Sequence, residues 1–562
     1  MKCVVAIILT VSLAVYFLLV APYHLFFKEQ ISLFICNSSY LYDFFQKPAF
    51  IACAAGDFLT QFCYLSGGGA VVCTLLILTE WFITAKVLNL LGFGFWSPIA
   101  ALFPACADWM LIPGIYFPLS GVVSLLITLS VFLICVLIRN KILSAVTALI
   151  SVCLLYYAAG FSAILFPLLI TIYEINNREK RLLFHLILFA IALVLPYLTR
   201  TTFLLTLEQA YIFPHLTVFN CQSLMILAAI ALFALIRPIR EMKNSVVSFS
   251  IITCLALLFC IGGLYWKTDG KTEKLLELSC ETYFGNTAKV LKTAEKERIE
   301  NPIATYYANL AMSKTGVMGD KLMSFYQPFS AGLFLPVNPQ SDWFSIFFSN
   351  DAYFYVGDMN MAQHSAMLGM MSSPWQRSSR LVRRLAEINV ATADTTAAMK
   401  YIRMLNATVL HKKYAKKLES MLFSGSTNDF IHKTDVLVGS QNPQPSLELL
   451  VNGNPDNRAA LDYLLSFYLL NKDISSFKVA VDKYIKGKKS SIPKVYEEAL
   501  LIALARKKAK QPEVEAYGIK PATIRDFERF TALYESSEGS LSALQKEFAN
   551  TYWLYFQFAK EK

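Results

Sequence analysis

Residues 246–274, VVSFSIITCLALLFCIGGLYWKTDGKTEK, hold the junction that decides the fold. Val246–Trp266 carries no charged side chain and is long enough to cross a bilayer, for which a helix needs about 20 apolar residues. Lys267–Lys274 is polar, contains Gly270 and reads as a linker. The chain differs on the two sides of this junction. Residues 1–266 hold 13 Lys/Arg and 9 Asp/Glu, against 38 and 31 in residues 267–562. The first part is starved of charge, whereas the second has the composition of a water-soluble domain.

Working back from the junction, apolar stretches of spanning length or near it recur at Cys3–Pro22, Gly67–Val87, Phe95–Pro113, Ile115–Ile138, Ile142–Gly160, Phe161–Ile175, Leu182–Thr199 and Leu216–Ile236. With Val246–Trp266 they predict about nine crossings. Cys3–Pro22 lacks a small-residue cleavage site and reads as a retained signal-anchor. Spanning segments are helical because an unpaired backbone group in lipid is costly. With the N-terminus in the cytoplasm, one set of loops holds Lys2, Lys86, Arg139, Lys141, Arg178, Lys180, Arg181, Arg237, Arg240 and Lys243. The opposite short loops hold only Lys28, Lys47 and Arg200. Positive residues favour the cytoplasmic side, so an odd number of crossings predicts that residues 275–562 lie outside it. Pro48–Leu65, which contains Asp57 and Gln61, reads as a re-entrant or interfacial helix near residues 40–65.

Working forward, apolar residues from Leu275 onward recur with helical spacing, which predicts an all-α C-terminal domain. Gly357, Asp358, Ala362, Gly369 and Pro374 have the spacing of a tetratricopeptide unit. A second match runs through Leu385, Ala386, Asp394, Ala398 and Leu405. A weaker third runs through Leu461, Leu465, Tyr468, Asp473 and Phe477, where Phe477 replaces the small residue, and Asn301–Asp320 has the look of another first helix and turn. Pro-rich and polar stretches at Gln327–Trp343 and Ser424–Pro455 interrupt the array. Stacked helical hairpins leave a groove suited to a peptide or partner helix. The fold class is thus all-α: a polytopic helical membrane bundle followed by a soluble helical-repeat, tetratricopeptide-like domain.

The run Gly56-Asp57-Phe58-Leu59-Thr60-Gln61-Phe62, together with Asn309–Asp320, Arg384–Asn389 and Tyr463–Asp473, resembles an uncharacterised family of bacterial multi-spanning membrane proteins, a domain-of-unknown-function family. The resemblance implies an inner-membrane location with the helical-repeat domain in the periplasm. It implies no activity.

Ionisable residues in apolar segments are expensive and default to functional candidates. Here they are Asp57, Glu80 and Asp108. Each also has a plainer reading. Glu80 can pair with Lys86 or face a polar bundle interior, and Asp108, between Pro104 and Pro113, can serve a broken helix whose backbone needs partners. Glu174, four residues before Arg178, reads as an ordinary helix ion pair. Tyr40, Tyr42, Asp43, Phe44 and Phe45 precede Asp57 in an aromatic stretch at the membrane surface. Their place after the first span is similar, in topology alone, to that of the catalytic acid in membrane glycosyltransferases that use lipid-linked sugars. On that reading Asp43 and Asp57 are the catalytic candidates, as general base or metal holder. Otherwise they are solvated acids among aromatic anchors.

The six histidines are scattered, and no C-x-x-C pair or metal-ligand spacing occurs, so neither a metal nor a cofactor is expected. Gly67-Gly68-Gly69 lacks the Lys-Ser/Thr of a phosphate loop. The net charge of +11 is dispersed and leaves no nucleic-acid footprint. Every Cys but Cys280 lies in the apolar part and reads as a small apolar side chain. The expected partners are the lipid bilayer and a protein or envelope polymer on the helical-repeat domain. The leading functional expectation is an envelope scaffold, and the alternative is a membrane-embedded glycosyltransferase-like enzyme acting on a lipid-linked substrate.

Overall fold

The structure is a computed structural model and describes residues 2–177, 181–215, 230, 246–338, 340–424, 442–487, 492–509 and 511–560. Among these residues every regular element is helical. The chain forms two compact units. The N-terminal unit comprises Met1–Glu273 with two short later stretches, Arg377–Ser379 and Met404–Tyr414; the C-terminal unit comprises the rest.

In the N-terminal unit the helices used below are α1 (Lys2–Val15), α2 (Pro22–Gln30), α3 (Ser38–Phe45), α4 (Phe50–Thr60), α5 (Gly68–Leu88), α6 (Leu102–Leu111), α7 (Ser120–Leu137), α8 (Lys141–Ala159), α9 (Leu165–Asn176), α10 (Leu182–Thr199) and α11 (Val246–Lys267). Their core is apolar side chains from most of these helices, Leu9, Leu13, Ile77, Trp109, Leu129, Phe132 and Phe166 among them.

Among the described residues five helical stretches are long and apolar enough to cross a membrane, rather than the nine expected. They are Cys3–Val20, Gly68–Ala100, Ser120–Leu137, Lys141–Asn176 and Leu182–Thr199, with a sixth when Ile251–Tyr265 is taken together with Gly270–Tyr283. The physical reasons are local. Gly92 and Gly94, both at positive φ, interrupt the chain just before Phe95, and within Phe95–Pro113 the short helix Ser97–Ala100 gives way to a turn at Ala101. What remains is the ten-residue α6, about 15 Å long at 1.5 Å per residue, half of a bilayer core about 30 Å thick. Ile142–Gly160 and Phe161–Ile175 lie in the single stretch Lys141–Asn176, broken at Gly160 (φ 73°), and α9 has only 12 residues. The chain nonetheless reverses at that glycine, because Arg181 Nη1 donates to Lys141 O at 3.3 Å, back at the start of α8. Leu216–Ile236, apart from Ile230, lies outside the described residues, as do Arg178, Lys180, Arg237, Arg240, Lys243, Pro339, His432 and most of the Ser424–Pro455 interruption.

The thiols also depart from the expectation. Cys106 on α6 and Cys260 on α11 form a disulfide, so two of these residues act as a crosslink rather than as apolar filling.

The C-terminal unit is built from helical hairpins. Its relevant helices are α12 (Gly270–Tyr283), α13 (Pro302–Lys314), α14 (Trp343–Val356), α15 (Met359–Ser372), α16 (Ser379–Ala391), α17 (Thr395–Asn406), α18 (Arg458–Leu470), α19 (Ile474–Tyr484), α20 (Lys494–Arg506) and α21 (Tyr552–Phe558). Three hairpins, α14–α15, α16–α17 and α18–α19, repeat one turn. Each first helix ends on a residue in the left-handed region: Gly357 (φ 98°), Ala393 (59°) and Lys472 (59°). An aspartate follows, and its N–H donates to the carbonyl five residues back: Asp358 to Tyr353, Asp394 to Asn389 and Asp473 to Tyr468, at 2.9, 3.0 and 2.9 Å. Its Oδ1 then accepts the N–H three residues on, from Met361, Ala397 and Ser476, at 3.0, 2.9 and 3.0 Å. One residue pair thus closes one helix and caps the next. The residue four beyond each aspartate, Ala362, Ala398 or Phe477, is fully buried. Within the first hairpin Gly369 lets the helices approach, since a Cβ there would stand 3.2 Å from Phe347 Cα.

Candidate functional site

The first loop after α1 gathers both acids singled out from the sequence. Asn37 starts α3 by accepting the Tyr40 N–H at 2.7 Å. Gly56 lets α4 lie against α7, because a Cβ there would overlap the backbone of Ser120, 2.6 Å from its Cα. Between these fixed helices Tyr40 Oη donates to Leu33 O at 3.0 Å and stands 3.5 Å from Asp57 Oδ2. Arg377 completes the group: Nη2 donates to Asp43 Oδ2 at 2.9 Å, and the guanidinium stacks 4.7 Å from the Tyr40 ring centroid. Burial pushes the Asp57 carboxyl up to about 6, against the opposing pull of Arg377, the Tyr40 hydroxyl and Lys47. Asp43 is exposed and engaged by Arg377. The arrangement joins a carboxyl titrating near neutrality to a phenol and a guanidinium, which can move a proton or hold an anion.

A second polar group lies on α2 and was not singled out from the sequence. His24, Lys28, Glu29 and Gln30 are all buried. Lys28 Nζ donates to Gly114 O at 2.8 Å and Phe117 O at 2.5 Å, and burial pushes the amine down to about 8. Glu29 Oε1 meets His411 Nε2 at 2.8 Å, and His24 Nδ1 meets Glu273 Oε2. Ser378 Oγ donates to Gln30 O at 2.6 Å, the Ser379 N–H to Ser32 O at 3.0 Å and the Cys36 N–H to Ala407 O at 2.7 Å. The legible signal was three ionisable residues following an apolar span. Their partners stand hundreds of positions away, where no local pattern marks them.

Glu80 on α5 and Asp108 on α6 come face to face in the core of the same unit, each the other's electrostatic neighbour. Both are buried, at 0% and 2% exposure. Lys86 instead lies over the Phe82 ring, 4.4 Å from its centroid. Glu174 meets His185 Nε2 at 3.4 Å and Arg181 Nη1 at 3.8 Å, while its expected partner Arg178 lies outside the described residues.

In the C-terminal unit the main polar group surrounds Asp351 on α14. Arg380 Nη2 and Arg384 Nη2 donate to its two oxygens at 2.5 and 2.8 Å, Arg380 Nη1 reaches Ser279 Oγ at 2.7 Å, and Tyr307 Oη stands 3.3 Å from Oδ2. Burial raises the Asp351 carboxyl, but the two guanidiniums outweigh it and hold the group below the usual carboxylate range. Glu387 balances Arg384 at 2.7 Å and Arg383 at 2.9 Å. His364 is exposed on α15. A cleft of about 380 Å³ opens on the α18–α19 hairpin, lined by Glu448, Leu464, Tyr468, Val479, Lys483 and Tyr484. Among the described residues no three His, Cys, Asp or Glu side chains stand together as a metal would require.

These features define an all-helical protein that joins apolar helices long enough to cross a membrane to a unit of helical hairpins. The sequence matches the model of a family of unknown function (DUF6057) over residues 1–559, and the chain belongs to that family. No curated protein and no solved structure matches it.

Proposed function

We propose that this protein is a membrane-embedded envelope scaffold, whose N-terminal unit crosses a bacterial inner membrane several times and whose tetratricopeptide-like C-terminal unit binds a protein or polymer partner in the periplasm. The exterior of the N-terminal unit supports embedding: Leu19, Leu137, Ile142, Leu182 and Leu183 are each more than 70% exposed, an arrangement unfavourable in water and suited to lipid. The reversal at Gly160 supports counting α8 and α9 as separate passes. The distribution of Lys and Arg supports a cytoplasmic N-terminus.

The observation that carries the scaffold reading is the turn shared by the three hairpins, with an open cleft beside one of them. Repeated hairpins expose concave surface that recognises extended or helical segments. Leu464 and Val479 give the cleft an apolar lining, and Glu448, Lys483 and two tyrosines a polar one. A photoreactive side chain at Val479, which is 66% exposed, is expected to crosslink one defined partner in cells. The same probe at Leu541, exposed but away from the cleft, is expected to crosslink none. Capture of nothing at Val479, under conditions where a control repeat protein captures its own partner, would overturn the scaffold reading.

A further inference from the structure

The Glu80–Asp108 pair takes no part in a scaffold, and its surroundings are unusual for buried acids. Burying a charge requires a partner of opposite sign or a proton. Among the described residues no lysine, arginine or histidine bears on either carboxyl, and each has the other as its charged neighbour. The two carboxyls stand within hydrogen-bonding reach of one another, and among the described residues neither oxygen of Glu80 meets any other donor. Carboxylates accept and do not donate, so two of them face to face repel unless something positive stands between them.

Two further buried groups stand close by. Thr84 lies one helical turn beyond Glu80 on the same face of α5; it is fully buried and its hydroxyl has no partner among the described residues. Ser97, also fully buried and with no partner for its hydroxyl among the described residues, opens the short helix Ser97–Ala100 packed on α5. That helix is pinned beside Glu80, because Trp81 Nε1 donates to Pro98 O at 2.8 Å. Two carboxyls and two hydroxyls, all oxygen donors, suit a small hard cation. They also sit where Gly92, Gly94, Pro98 and Pro104 break the helix, and broken helices free backbone carbonyls to serve as further ligands.

We propose that Glu80 and Asp108, assisted by Thr84 and Ser97, form a buried site for a monovalent cation, either a proton held between the carboxyls or a sodium ion that replaces it. The exchange balances: sodium entry expels one proton from the pair, and the charge of the site is unchanged.

The test uses the full chain, purified in detergent in a weakly buffered solution with a pH-sensitive dye. Sodium chloride is added against choline chloride at equal ionic strength. A sodium site is expected to release protons up to one per protein, saturably, and the release is expected to vanish in both E80Q and D108N. A proton-only site is expected to ignore sodium. It would instead show an infrared carboxylic-acid band in the wild type that rises and falls with pH and is lost in E80Q. Either result supports the proposal, and the wild-type measurements stand even where a variant fails to fold. No sodium response together with no titrating carboxyl band overturns it, as does a response that persists in both folded variants.

Discussion

A single buried carboxyl shows how far one residue can set the behaviour of the C-terminal unit. Glu498 on α20 is fully buried; its Oε2 accepts the Tyr552 N–H at 2.6 Å, and its backbone carbonyl accepts Trp553 Nε1 at 2.9 Å. Burial pushes its carboxyl from 4.5 up to about 7, against the Tyr552 N–H and Lys494. A raised carboxyl means that the folded state holds a proton the unfolded state has lost between these values. The stabilisation is therefore complete below pH 4.5 and disappears as pH rises through 7. The span corresponds to about 3 kcal/mol at one pKa unit per 1.36 kcal/mol. E498Q, neutral throughout, is expected to flatten this slope and to exceed the wild type in denaturant midpoint at pH 8, with little difference at pH 4. The opposite logic holds at Asp351, whose two arginines keep it charged. Removing one of them would leave the buried carboxylate with a single guanidinium in place of two and weaken the compensation of its burial.

At the scale of the element, the repeated turn in the hairpins is local chemistry that can be weighed term by term. Each aspartate satisfies an N–H that the following helix leaves free, so D358A, D394A and D473A are each expected to cost about 1 kcal/mol. Ala393 occupies a left-handed conformation that Gly357 adopts without strain. A393G is therefore expected to stabilise by about 1 kcal/mol, where G357A loses a similar amount. Urea denaturation midpoints of the five variants decide both claims, and a stabilising G357A would refute the account of the turn. These turns were legible in the sequence because Gly-Asp, Ala-Asp and Lys-Asp stand at helix ends, where N-cap residues are selected by backbone geometry alone. The broken segment at residues 89–111 was less legible. Its apolar composition satisfies a span of Phe95–Pro113, and only the backbone turn at Ala101 reveals that the helix stops there.

The whole molecule poses the question of compartments. The proposed topology puts the N-terminus in the cytoplasm, because Lys and Arg concentrate in one set of loops and such residues favour that side on insertion. A reporter enzyme active only in the cytosol, fused after Lys562, is expected to be inactive, while one requiring export is expected to work. The reverse pattern would place the hairpin unit in the cytoplasm and remove the envelope setting of the scaffold reading. The N-terminal unit itself is assembled from distant parts of the chain, since Arg377 meets Asp43, His411 meets Glu29, and Ser378 and Ser379 meet the end of α2 and the residues just after it.

Helical character, the division into an apolar and a charged part, and the Asp-capped hairpin turns were determined by the sequence alone. Each depends on the solvent preference or backbone geometry of residues a few positions apart, and such information is written locally. Tertiary structure alone decided that Asp43 and Asp57 share Arg377, that Glu80 confronts Asp108 rather than Lys86, that Cys106 pairs with Cys260, and that α2 carries a buried polar group. These pairings join positions that are far apart along the chain or on separate helices. Which partner a buried charge finds is settled by how helices pack, a property of the assembled core.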